Sequence, residues 1–145
     1  MSPRELQILL IEDNLEHARL IQLILSRKNV RAHVHVVRDG VEAMSLLSQS
    51  SLQTRHEKTF RPDLILLDLN MPREDGRNVL RQVKSNRSLR DIPVVIVSTS
   101  EKEEDRVYAA REGAAAYLSK SAGFDAFSEM LSKIAASPQL TLTNR

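Results

Sequence analysis

The stretch Pro62-Asp63-Leu64-Ile65-Leu66-Leu67-Asp68-Leu69-Asn70-Met71-Pro72 decides how this chain folds. An apolar run of strand length stops abruptly at a carboxylate. A continuous apolar run fits a strand buried on both faces, as in a parallel sheet. A buried strand that delivers Asp68 to its own C-terminal edge presents that group to chemistry. The chain does the same once earlier, where Gln7-Ile8-Leu9-Leu10-Ile11 runs into Glu12-Asp13-Asn14. If the two strands are parallel neighbours, three carboxylates meet at one point.

Strand-like and helix-like segments alternate from end to end, which predicts an α/β fold, a doubly wound parallel sheet with helices on both faces. Ile8 to Ile11 is the first strand. Leu15, Ala18, Ile21 and Leu25 then give helical spacing up to about Lys28. His33-Val34-His35-Val36-Val37 alternates polar and apolar, as an edge strand with one wet face should. Asp39-Gly40 opens a second helix through about Ser48, and from Gln49 to Arg61 the lost periodicity predicts a surface loop. Asp75-Gly76 leads into a helix through about Ser85, with Val79, Leu80 and Val83 inward. Pro93 to Val97 predicts a fourth strand buried on both faces. Ser100-Glu101-Lys102-Glu103 has the form of a capping box for a helix that Gly113 closes at its C′ position. Ala114 to Leu118 predicts the fifth strand. Phe124, Phe127, Leu131 and Ile134 give a last helix one apolar face, and Ser137-Pro138 ends it.

In open parallel sheets ligands bind beyond the carboxyl ends of the strands, where the strand order reverses. For the order 2-1-3-4-5 that place lies between the first and third strands, the two that carry Glu12, Asp13 and Asp68. Three carboxylates repel one another unless a cation intervenes. A hard divalent ion such as Mg²⁺ accepts one or two of them while keeping several waters and a phosphate oxygen. The expectation is a metal-assisted phosphoryl acceptor. A plainer reading makes Glu12, Asp13 and Asn14 caps of the first helix, but capping leaves Asp68 unexplained.

Composition bounds the rest. The 145 residues suit one domain with a real core, and 41% hydrophobic with 28% charged residues is a globular profile. Without cysteine the chain has no disulfide, thiolate nucleophile or zinc-thiolate site, which fits a cytoplasmic location. The polar start, Met1-Ser2-Pro3-Arg4-Glu5, is no signal peptide, and no apolar run is long enough to span a membrane. A net charge of +2 gives no general case for nucleic-acid binding.

With these residues in view, the chain resembles the receiver domain of bacterial response regulators over essentially its whole length. The motifs that carry the resemblance are Glu12-Asp13, Asp68 with Asn70-Met71-Pro72 and Gly76, Ser98, Tyr117 and Lys120. The resemblance implies a flavodoxin-like five-stranded fold in which Asp68 takes a phosphoryl group from a phosphohistidine on a sensor histidine kinase. It implies that Asp13 and Asp68 bind Mg²⁺, or Mn²⁺, through side chains, Asn70 through its backbone carbonyl, and Glu12 through water. It further implies that Lys120 and Ser98 meet the phosphoryl oxygens, and that Ser98 and Tyr117 form a packing switch. Thr99 is the competing hydroxyl, but strand alternation lets only one of the pair reach the site. Ser100 and Asn70, each two residues past a site residue, are expected to influence how readily water attacks a phosphoaspartate.

Lys120 is followed by Ser121, where many receivers have proline. A trans peptide is expected there, because a non-proline cis bond costs about 2.5–4 kcal/mol. This form, the Asp75-Gly76-Arg77-Asn78-Val79-Leu80 segment and the long loop before Asp68 look like the single-domain regulators paired with bacterial phytochromes. On that likeness residues 1–136 are the receiver, 137–145 are a short tail, and no output domain follows. Output would then pass through a surface, with a homodimer using the fourth helix, fifth strand and fifth helix as the expectation. Whether the phosphoryl group ends here or passes to a histidine phosphotransfer protein stays open.

The four histidines, His17, His33, His35 and His56, form no metal-ligand pattern, and the pair His33 and His35 reads as solvent-facing. Arg77, Arg81 and Lys84 lie at helical spacing and read as a solvated outer face. A different function class is a phosphohydrolase of the haloacid dehalogenase type, which wants an aspartate two residues after the nucleophile. This chain has Asn70 there. A flavodoxin-like cofactor binder would want a glycine- or hydroxyl-rich phosphate loop after the first strand, and none follows.

Overall fold

The computed structural model describes residues 5–27, 31–52, 60–71, 76–120, 125–126 and 128–130. In chain order the elements are β1 (Leu6–Ile11), α1 (Leu15–Arg27), β2 (Ala32–Val37), α2 (Gly40–Leu52), β3 (Leu64–Leu67), α3 (Gly76–Ser85), β4 (Val94–Ser98), α4 (Glu103–Arg111) and β5 (Ala116–Ser119). The five strands form one sheet in the order β2-β1-β3-β4-β5, every pairing parallel. Residues 125–126 and 128–130 are helical.

The apolar strands are continuous in sequence but alternate in space, and this divides the core in two. Ile8, Leu10, Leu64, Leu66, Val95 and Val97 join Ala18, Ile21, Ile24 and Leu25 of α1 on one face. Leu9, Ile11, Ile65, Leu67, Val94 and Ile96 join Ala43 and Leu47 of α2, Val79, Leu80 and Val83 of α3, and Ala109 of α4 on the other. With both faces covered, the central strands have no wet side. That is why β1, β3 and β4 carry unbroken apolar runs.

Several expected boundaries and partners differ. Leu15 is half exposed, and Ile24 takes its place in the buried stripe of α1. The second helix runs on to Leu52, so Gln49 to Leu52, expected in a loop, are helical. Ala114 and Ala115 are not in the fifth strand. Ala114 belongs to the turn that closes α4, where Gly113 has φ +99, its N–H meets the Ala110 carbonyl at 3.1 Å, and the Ala114 N–H meets that of Ala109 at 2.9 Å, while the Ala115 N–H already donates to the Val94 carbonyl of β4 at 2.7 Å. This is a Schellman closure, and β5 starts only after it.

The capping box at Ser100 is a correction. The residue at the N-cap is Lys102, without a side-chain cap. The Ser100 hydroxyl instead donates to Asp105 Oδ2 at 2.5 Å and accepts the Lys102 N–H at 3.2 Å. The solvated face expected for Arg77, Arg81 and Lys84 holds for the exposed Arg81 but not for Arg77 and Lys84, which are half-buried. Arg77 pairs with Asp105 at 2.6 Å, Arg81 donates to the Tyr108 hydroxyl at 3.0 Å, and Lys84 donates to the Arg90 and Ile92 carbonyls. These cations tie α3 to α4 and to the chain entering β4. His35 is likewise not free in solvent. It is half-buried, meets the His33 ring at a tilt and the Phe60 ring edge-on, shares a hydrogen bond with Gln7, and burial followed by the His33 charge lowers its pKa.

His56, Pro72, Asp75, Ser121, Phe124, Phe127, Leu131, Ile134, Ser137 and Pro138 lie outside the described residues, and so do the expected trans peptide and the C-terminal tail. Among the described residues no helix is long and apolar enough to cross a membrane.

Candidate functional site

The register places the site. Ile11 at the end of β1 is level with Leu67 at the end of β3, and the Asp68 N–H donates to the Ile11 carbonyl at 3.1 Å. Glu12, Asp13 and Asp68 therefore leave the sheet side by side. Each offers a carboxylate oxygen, and these oxygens lie within 4.8 Å of one another. No other such group of acidic, histidine or cysteine ligands occurs among the described residues. Glu12 and Asp68 are buried, at 1% and 7% exposure, and Asp13 is half-buried. Acids this close and this dry repel one another, so the cluster suits a divalent cation.

Asn14 resolves the capping alternative. Its Oδ1 accepts the Glu16 and His17 N–H groups at 2.9 and 3.1 Å, so Asn14 caps α1. Glu12 does not cap the helix; its Oε2 accepts the Asn14 N–H at 3.2 Å. The cap belongs to one residue, and the two acids beside it face the site with Asp68.

Lys120, at the end of β5, reaches across to the cluster. Its ammonium donates to Glu12 Oε1 at 2.7 Å and, at a longer 3.4 Å, to Asp68 Oδ2. Burial raises the Glu12 pKa from 4.5 to about 7, Lys120 opposes that shift, and the Asp68 charge adds to it. The site can therefore take up or release a proton near neutrality. Asp68 Oδ1 accepts the Asn70 N–H at 3.0 Å, which orients the carboxylate and leaves Oδ2 toward Lys120.

Ser98 is fully buried at the end of β4, and its hydroxyl accepts the Asn70 side-chain amide and the Ser100 N–H, both at 3.1 Å. Thr99 points outward and is exposed, as alternation requires. Gly76 opens α3 directly against this loop. A Cβ there would strike the Asp68 carbonyl oxygen and the Leu69 Cα. Only glycine lets the helix start so close to Asp68. Tyr117 is half-buried against the core, with its hydroxyl on the Ser100 carbonyl at 2.9 Å and the Arg106 guanidinium 4.8 Å over its ring.

The residue that sequence reasoning passed over is His17. Grouped with the other histidines and set aside, it stands on the first turn of α1 with Nδ1 2.8 Å from Lys120 Nζ. The partners are 103 positions apart in sequence, so no local spacing announces the contact.

Asp68, the acidic cluster, the lysine and the buried serine converge at the switch point of a 2-1-3-4-5 sheet, and this is the arrangement of a receiver. Residues 8–132 match the family model of the response regulator receiver domain, and the chain belongs to that family. It is 42% identical over 114 residues to the response regulator Rcp1 of Synechocystis sp., covering 79% of this chain and 76% of Rcp1. The crystal structure of the Mn²⁺-bound form of Rcp1 superimposes with a TM-score of 0.74 at 39% identity, over 88% of this chain and 90% of that one. The phosphorylated cyanobacterial phytochrome response regulator RcpA gives 0.77 at 40% identity, over 92% and 94%. The bacteriophytochrome response regulator RtBRR gives 0.73 at 35%, over 93% and 78%. The protein is thus a signalling receiver related to the phytochrome response regulators, a family whose members interact with sensor kinases.

Proposed function

We propose that Asp68 accepts a phosphoryl group from a phosphohistidine of a sensor histidine kinase and that the phosphorylated chain signals by a change of surface. The observation that carries this reading is the dry cluster of Glu12, Asp13 and Asp68 within 4.8 Å, with the Lys120 ammonium beside it. Asp68 Oδ2 supplies the lone pair that forms the new O–P bond as the N–P bond of the phosphohistidine breaks, and the imidazole nitrogen keeps that electron pair. Mg²⁺, or Mn²⁺ as in the Rcp1 crystal, would be held by Asp13, Asp68, the Asn70 carbonyl and, through water, Glu12, and would neutralise charge on the phosphoryl oxygens. Lys120 neutralises a further share. Ser98 has a hydroxyl proton to donate to a phosphoryl oxygen, and its movement toward that oxygen vacates space into which Tyr117 turns.

The likeness to phytochrome response regulators supports a phytochrome-type kinase as the donor. It also supports residues 1–136 as the receiver, and our reading adds a cytoplasmic setting and a histidine phosphotransfer protein as a further acceptor. Output through a homodimer of α4, β5 and the last helix fits the half-exposed Val107 of α4 and the position of Tyr117 on β5. Sedimentation at several concentrations, with and without beryllofluoride, tests the dimer; a monomer in both states contradicts it.

Incubation with acetyl phosphate and Mg²⁺ tests the main reading. A stable, stoichiometric phosphoprotein is expected. Multiple turnover of small phosphate esters would favour a phosphohydrolase, which Asn70 disfavours because an amide cannot serve as its general acid.

A further inference from the structure

The Lys120 ammonium has three hydrogens and no lone pair, so each of its contacts needs an acceptor. Two contacts are short, 2.7 Å to Glu12 Oε1 and 2.8 Å to His17 Nδ1; the third, to Asp68 Oδ2, is 3.4 Å. At 2.8 Å from an ammonium, Nδ1 must carry the lone pair, which puts the imidazole proton on Nε2. The neighbouring Glu12 Oε2, 3.8 Å from Nδ1, is too far for a competing hydrogen bond. The His17 main chain is fixed at the start of α1, because its backbone N–H is held by the Asn14 cap.

We propose that His17 is a positioning residue for Lys120, an acceptor on α1 that with Glu12 holds the ammonium off Asp68 until a phosphoryl oxygen arrives. The inference rests on the reading of Asp68 as phosphoacceptor and Lys120 as a phosphoryl partner. A lysine side chain has a long flexible stem, and without an anchor its ammonium settles on the strongest nearby acceptor. Once His17 is removed, Glu12 Oε1 keeps its hydrogen and the one freed from Nδ1 turns to Asp68 Oδ2, the remaining acceptor within reach. This is the oxygen left free to attack, since Oδ1 holds the Asn70 N–H. A tight ion pair there covers the nucleophile and slows transfer. The leaving of Lys120 from His17 toward the phosphoryl group needs no proton transfer, only a change of acceptor.

The test uses the full chain in three forms: wild type, His17→Leu and His17→Asn. Leucine fills the space without an acceptor, whereas asparagine places Oδ1 where Nδ1 stands. His17 is about one-third exposed, so neither change threatens folding. The initial rate of labelling by acetyl phosphate with Mg²⁺ is expected to fall roughly fivefold in His17→Leu and to recover to within about twofold in His17→Asn. Nitrogen NMR of the histidine-labelled, metal-free protein at mildly alkaline pH supplies a second readout. His17 is expected with Nδ1 unprotonated and Nε2 protonated, and Lys120→Met should shift the Nδ1 resonance. Wild-type labelling rate in His17→Leu, or a protonated Nδ1 indifferent to Lys120→Met, overturns the proposal. A wild-type chain that takes no label would instead count against Asp68 as acceptor, while the NMR measurement still decides whether His17 serves Lys120.

Discussion

The Tyr117 hydroxyl donates to the backbone carbonyl of Ser100 at 2.9 Å, two residues beyond Ser98. The same segment sends the Ser100 N–H back to the Ser98 hydroxyl at 3.1 Å. An edge strand and the buried serine of the site thus hold opposite ends of one short stretch. The Ser100 backbone therefore links Ser98 to Tyr117.

Tyr117→Phe keeps the ring and its place under Arg106 but leaves the Ser100 carbonyl without this donor. A loss of about 0.5–1.5 kcal/mol is expected from urea unfolding. Labelling of Asp68 should persist, since no atom of the phenol touches the acidic cluster. Loss of labelling would show that the contact builds the site and does not merely report on it.

Arg77 and Asp105 join α3 to α4 at 2.6 Å, and the Ser100 hydroxyl and the Arg77 guanidinium hold Asp105 below the usual carboxylate range. Replacing either by alanine should destabilise the chain, and a double-mutant cycle should return a coupling of about 1 kcal/mol, because Arg77 is partly solvated. Strict additivity would mean that solvent screens the pair.

Glu12 makes the metal-free protein sensitive to pH. Its pKa is 4.5 when unperturbed and about 7 in the folded chain. Between these values the folded state holds a proton that the unfolded state has released. Stability from this group is therefore full below about pH 4.5 and is lost as pH rises through about 7. The change is on the order of 1–3 kcal/mol. Urea midpoints across that range should fall with pH in the wild type and stay flatter in Glu12→Gln. Added Mg²⁺ should reverse the slope, since a cation favours the ionised carboxylate.

Gly76→Ala should cost about 1–3 kcal/mol, because the new methyl meets backbone of Asp68 and Leu69 that cannot yield without moving Asp68. Slower labelling should accompany the lower unfolding midpoint. Unchanged values in both would mean that α3 can retreat freely.

The central sheet and the acidic cluster were legible in the sequence because both rest on strong local signals. Unbroken apolar runs mark strands covered on two faces, and acids at their ends mark the switch point. The errors arose where one local pattern served two masters. Ser100 to Glu103 spells a capping box, but Asp105 takes the serine hydroxyl. Ala114 and Ala115 look like strand, but the left-handed Gly113 draws Ala114 into the helix closure. Periodicity put Arg77, Arg81 and Lys84 on one face but could not say that α4 stands opposite. His17 needed the longest-range information of all, the packing of α1 beside the end of β5.

Mapping the labelled atom tests the account most directly. After incubation with acetyl phosphate and Mg²⁺, borohydride reduces an aspartyl phosphate to the alcohol, which peptide mass spectrometry locates. One reduced side chain is expected, at Asp68, and none in Asp68→Asn, whose fold and unfolding midpoint should be retained or raised as like-charge repulsion falls. Reduction at another carboxylate, or labelling that survives Asp68→Asn, would contradict it.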